Sequence, residues 1–149
     1  MLSKKNLFDQ ILAQLGDRMT LLQEEIQRLQ ESKAADTKSS AGDKFETGRE
    51  MIGQELAKVE ASLNQVKSQI QALSFFAELK PNKEVREGSM IQLGEKWFLL
   101  SVSLGEVKVG EDRVFLLSKE SPLGQSLLGK KIGDSVQFMG KPHRILQVL

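Results

Sequence analysis

From Phe8 the apolar residues of the chain fall at Phe8, Leu12, Leu15, Met19, Leu22, Ile26 and Leu29, spaced alternately by four and three. That alternation is the heptad seam of a coiled coil. It lapses at Lys33 and Asp36, and a second seam with the same spacing runs through Ile52, Leu56, Val59, Leu63, Val66, Ile70 and Leu73. Neither stripe can bury itself alone. Folded back as an antiparallel hairpin, Leu29 meets Ile52, Ile26 meets Leu56, Leu22 meets Val59, Met19 meets Leu63, Leu15 meets Val66 and Leu12 meets Ile70. The paired numbers sum to 81 or 82 throughout. The register is self-consistent and predicts a tip at Ala41-Gly42-Asp43. The small and polar residues from Ala34 to Gly42 read as loop, with Gly42 open to backbone conformations closed to other residues. A first helix of roughly 30 residues makes a rod about 45 Å long at the helical rise. Such a rod can reach into something.

The heptads stop near Leu79-Lys80-Pro81-Asn82, where Pro81 disfavours further helix at Lys80. The expected organisation is a helical hairpin over residues 1–78 and a second domain over 81–149. In the second part, the runs Ser89 to Leu93, Lys96 to Leu104, Arg113 to Leu117, Ser135 to Met139 and Arg144 to Leu149 are short and apolar-rich. They are divided by Gly94-Glu95, Gly110-Glu111-Asp112 and Gly140-Lys141-Pro142, which is turn chemistry. Between them, Ser121 is a candidate N-cap, Pro122 suits a first helical position and Gly129 a helix end. The fold class expected is α+β, with one short helix on an antiparallel sheet.

Composition removes several chemistries. Zero Cys excludes disulfides, zinc–thiolate sites and thiol nucleophiles, and the single His143 leaves His-rich metal sites and a Ser–His triad without material. Residues 1–75 carry 10 basic and 11 acidic groups and residues 76–149 carry 11 and 9, which argues against a broad nucleic-acid footprint. No apolar run approaches the roughly 20 residues of a membrane span, and Met1 to Lys5 leads into no signal-type core. A soluble, cytoplasmic monomer that makes no membrane contact is expected by default.

Two motifs stand out. At the expected tip, Asp43 and Glu46 lie three apart ahead of an apolar-periodic helix, the pattern of a capping box in which each side chain satisfies the other's backbone N–H. A carboxylate has more than one acceptor site, so the same pair stays available as a ligand. Downstream runs Ser121-Pro122-Leu123-Gly124-Gln125-Ser126-Leu127-Leu128-Gly129-Lys130-Lys131-Ile132-Gly133-Asp134. Together with Gly42-Asp43-Lys44-Phe45-Glu46 at the end of a hairpin, this segment resembles the bacterial Gre transcript-cleavage factors, and the resemblance covers nearly the whole chain. It implies an N-terminal hairpin that enters the secondary channel of RNA polymerase and an FKBP-like C-terminal domain that docks on the channel rim. Asp43 and Glu46 would be the catalytic carboxylates, holding a second Mg²⁺ shared with the polymerase active site. Two ligands alone would bind that ion weakly.

Glu120, Ser121 and Pro122 would be the partner-binding residues, and Lys44 and Arg49 would contact the tip's surroundings or the nascent RNA, which is met only through the polymerase. The protein would then be no enzyme itself but a cofactor that stimulates the polymerase's intrinsic RNA cleavage. The family usually continues its Gly-Asp-x-x-Glu with Asn-Ala-Glu-Tyr, whereas this chain reads Thr47-Gly48-Arg49-Glu50. The departure keeps open a Gre-fold protein that occupies the channel and modulates or inhibits the polymerase without cleavage. Two plainer readings compete. A prolyl isomerase is disfavoured by the absence of Tyr and an aromatic content of 5%, and a generic coiled-coil adaptor leaves both motifs unexplained. Elsewhere, Phe45 extends the second seam, Trp97 and Phe98 are read as core, Lys130 and Lys131 as a solvated face, and His143 as a turn residue.

Overall fold

The computed structural model describes residues 3–37 and 43–149, with the side chains of residues 36, 37 and 43–47 outside the description. Two long helices come first. Helix α1 spans Lys4–Thr37 and α2 spans Asp43–Ala77. At 34 and 35 residues each is about 50 Å long. Ser3 starts α1: its Oγ accepts from the Asn6 amide at 3.1 Å, and its carbonyl accepts from Leu7 N. This is N-cap geometry, and it supplies partners for amides that a helix start otherwise leaves bare. Helix α1 runs past the predicted break, through Ala34, Ala35, Asp36 and Thr37, which the sequence assigned to a loop. Loss of the apolar stripe ends the packing but not the helix, because Ala is the strongest helix former.

Six strands follow: β1 (Met90–Leu93), β2 (Lys96–Leu100), β3 (Gly105–Val109), β4 (Asp112–Leu117), β5 (Ser135–Phe138) and β6 (Lys141–Val148). The short helix α3 (Pro122–Leu127) lies between β4 and β5. The sheet order is β3-β4-β2-β1-β6-β5. The class is α+β as expected, with two corrections. Strand β3 is an additional strand, and β2 and β4 pair in parallel, Phe98 opposite Phe115, so the sheet is mixed rather than purely antiparallel. The β3–β4 hairpin turns back through Gly110 and delivers β4 alongside β2 in the same direction. The β5–β6 turn is also earlier than predicted. It sits on Met139 and Gly140, whose φ values of 54° and 77° both lie in the left-handed region required by the tightest hairpin turns.

The chain divides into two compact units, one formed by Met1–Leu12 with Gln71–Leu149 and the other by Ala13–Ile70. In the second unit the two helices pack together. Leu15, Val59, Leu63 and Val66 are buried, the other seam positions of that unit are half-buried, and Leu21 and Met51, off the seam, are 66% and 65% exposed. In the first unit Val85, Ile91, Leu93, Phe98, Leu100, Leu127, Val136 and Ile145 form the core between α3 and the sheet. The opposite sheet face is buried too, through Met90, Leu99, Val107, Val114 and Leu116. Leu7 and Ile11, which lie beside the α1 seam rather than on it, are 0% and 1% exposed in the same unit. The Lys4 ammonium donates to the Leu149 carbonyl at 3.1 Å, and partial burial, with the Arg86 guanidinium second, holds it below its ordinary pKa. The start of α1 is thereby tied to the last strand. No helix among the described residues is long and apolar enough to cross a membrane.

Candidate functional site

The sequence motif from Ser121 to Asp134 is built around α3. Ser121 is its N-cap, in extended conformation, and its hydroxyl works twice. The oxygen accepts from Gly124 N at 3.1 Å while the O–H donates to the Ser118 carbonyl at 2.7 Å. Pro122 occupies the first helical turn, where its missing N–H costs nothing. Gly124 is buried against the preceding loop so closely that a Cβ there would lie 2.0 Å from the Ser118 carbonyl oxygen and 2.8 Å from Ser121 Oγ. The Ser121-Pro122-Leu123-Gly124 run is therefore the grammar of one tightly closed turn. That turn presents Pro122 and Glu120 to solvent with Ser121 half-buried between them. Glu120 also accepts, through its carbonyl, from the Gln125 side-chain amide at 3.2 Å. Next to it, Lys119 is held 3.1 Å from Glu87, and that hydrogen bond and charge push its pKa up.

Beside Pro122 and Ser121 an open groove of about 480 Å³ runs between α3 and the sheet, floored by Phe98, Phe115 and Leu117 and edged by Leu123, Phe138 and Met139. Phe98 organises it, stacking on Phe115 at 5.8 Å between centroids and meeting Phe138 edge-on at 5.4 Å. Behind Phe138 stand His143, edge-on at 5.8 Å, and the Lys96 ammonium, 5.5 Å from the ring centroid. His143 is thus a half-buried ring partner rather than a turn residue. Three of the seven Phe residues gather here, so a chain poor in aromatics still makes an aromatic-walled surface. Met139, 79% exposed at the groove's edge, holds its unfavourable φ of 54° there. The sequence reading missed this groove. Phe98 is read as core from the sequence, but the pairing that brings Phe115 beside it is non-local.

The other sequence-predicted residues divide. The side chains of Asp43, Lys44, Phe45 and Glu46 lie outside the described residues, as does the tip at Ala41 and Gly42. The backbone of α2 begins at Asp43, so Asp43 and Glu46 both fall at the start of that helix. Arg49 is exposed further along α2. Trp97 is half-buried and Phe98 buried. Among the described residues no group of three His, Asp or Glu side chains converges as a metal site.

No family model matches the chain. It is 28% identical over 132 residues, covering 85% of this chain and 80% of the relative, to the transcription inhibitor protein Gfh1 of Thermus aquaticus. A match of that length exceeds either compact unit, so it includes helices of the hairpin as well as the sheet. The similarity to Gfh1 thus runs over most of the chain, in line with the Gre-like resemblance carried by its two motifs.

Proposed function

We propose that this chain is a transcription factor that acts on RNA polymerase, inserting its helical hairpin into the secondary channel and docking through the α3 turn and its aromatic groove. The observation that carries this reading is the similarity to a transcription inhibitor across both units. The same observation favours inhibition or modulation over cleavage. In this form the hairpin acts by occupying the channel, and the sheet unit supplies most of the affinity through Pro122 and the apolar groove, since buried apolar and aromatic anchors dominate interfaces. The protein performs no chemistry of its own and works as a cytoplasmic monomer.

A second reading is favoured by one feature, Asp43 and Glu46 at the start of α2. Their hard carboxylate oxygens suit Mg²⁺, and the ion would be held only with further ligands from the polymerase, where it would help activate water for phosphodiester hydrolysis. Lys44 and Arg49 would then lie near the backtracked RNA's phosphates.

One experiment separates the readings. The full-length protein is added, with Mg²⁺, to an actively elongating polymerase and to a stalled, backtracked complex. Slowed elongation without shortened transcripts supports inhibition, shortened transcripts support cleavage, and an absence of any effect with no binding overturns both.

A further inference from the structure

The sheet unit carries a second groove, of about 410 Å³, lined by Pro81, Asn82, Lys83, Lys131, Ile132 and Val148 and distinct in its residues from the aromatic one. Its walls are fixed. Val85 N donates to the Lys130 carbonyl and Gly129 N to the Val85 carbonyl, both at 2.9 Å, which ties the loop after α2 to the segment after α3. Within the loop Arg86 donates to the Lys80 carbonyl and Asn82 to the Glu84 carbonyl. Ile132 is 62% exposed at the edge of this groove. A single exposed aliphatic residue is ordinary, but one standing over a preformed apolar cleft is a site prepared for a partner's side chain.

We propose that this groove is a second docking surface for the polymerase, taking a protein segment that presents an aliphatic side chain flanked by carboxylates. The inference rests on the functional reading above and extends it to a second face. Two lysines line the cleft. Lys131 lies 3.5 Å from Glu84, with both side chains more than half exposed, a pairing that an incoming carboxylate can replace at little cost. Lys83 makes none of the ion pairs seen among the described residues. The charge left for a partner is positive, so the complementary segment is acidic. The lining offers no aromatic ring for a base to stack on, which disfavours single-stranded nucleic acid as the occupant.

The test uses the full-length protein and RNA polymerase core enzyme, with affinity measured at low and moderate salt for Ile132→Asp, Lys83→Glu and Ile132→Leu. All three changes are at exposed positions, and matching urea midpoints confirm that each variant is folded. The expected result is at least tenfold weaker binding for Ile132→Asp, several-fold weaker binding with a shallower salt dependence for Lys83→Glu, and wild-type binding for Ile132→Leu. Wild-type affinity in both charge variants overturns the proposal while leaving the polymerase reading intact, and tighter binding by Lys83→Glu overturns the acidic partner. A wild-type mass that rises with concentration and falls back in Ile132→Asp assigns the groove to a second copy of this chain instead. If the wild-type chain itself does not bind polymerase, the functional reading falls and this inference falls with it.

Discussion

Gly124 shows how much one missing methyl group can decide. Its Cβ would overlap the Ser118 carbonyl oxygen, a backbone atom that cannot rotate away, so Gly124→Ala should destabilise the sheet unit by about 3 kcal/mol in urea unfolding. Removing the cap with Ser121→Ala should cost only about 1 kcal/mol, and Ser121→Thr, which keeps both the donor and the acceptor, should cost less. This much of the site was legible, because capping and turn chemistry are local and Ser121, Pro122 and Gly124 announce them in four letters. Met139 was not legible. Its meaning depends on a turn that forces a left-handed backbone on a bulky residue and on a groove assembled from distant strands. Asn tolerates that conformation, so Met139→Asn should raise stability by about 0.5–1 kcal/mol. If the groove docks on polymerase, the same substitution should weaken binding, and stability and affinity moving in opposite directions is the expected signature. Equal binding by Met139→Asn and wild type removes Met139 from the interface.

At the scale of elements, heptad spacing alone identified the helix faces. Leu63 is 8% exposed and Leu21 is 66% exposed, although both are leucines in the paired helices. Leu63→Ala should therefore destabilise the hairpin unit by about 2–4 kcal/mol, whereas Leu21→Ala should change it by less than about 0.5 kcal/mol. Similar losses from both, measured by thermal or urea unfolding, would contradict the seam assignment. Periodicity failed where the environment changes along a helix. Leu7 and Ile11 are buried off the seam, in the unit where the start of α1 is tied to the last strand. A heptad pattern reports one partner helix and is silent about a second contact. The sheet was legible as a set of runs and turns but not as a topology. Strand β3, Gly-Glu-Val-Lys-Val, alternates cleanly, with Val107 and Val109 buried and Glu106 and Lys108 exposed. Being short and charged on one face, it carries a weak strand signal in the sequence. The parallel pairing of β2 with β4 is invisible to any local signal, since it is decided by where the β3–β4 hairpin returns.

At the scale of the whole molecule, the boundary near Pro81 marks where helix ends, yet the compact units divide near Leu12 and Ile70. Helices α1 and α2 both run across that division, so helix ends and unit boundaries fall at different places in the chain. Charge at the start of α2 can be removed with little change to the fold. Asn and Gln match Asp and Glu in size and keep an acceptor oxygen, so Asp43→Asn with Glu46→Gln removes both charges with little change in side-chain bulk. Hairpin stability should be nearly unchanged by circular dichroism, and the double variant should compete with wild type for polymerase at equal affinity. A protein that acts by filling the channel should then inhibit elongation as strongly as before. A protein that recruits Mg²⁺ should lose transcript shortening by at least about tenfold, because neutral amides are poor ligands for a hard dication. Retained cleavage in the double variant rules out a metal role for the pair. The urea midpoint serves as the control: if it falls, the single substitutions Asp43→Asn and Glu46→Gln locate the loss and carry the cleavage comparison separately.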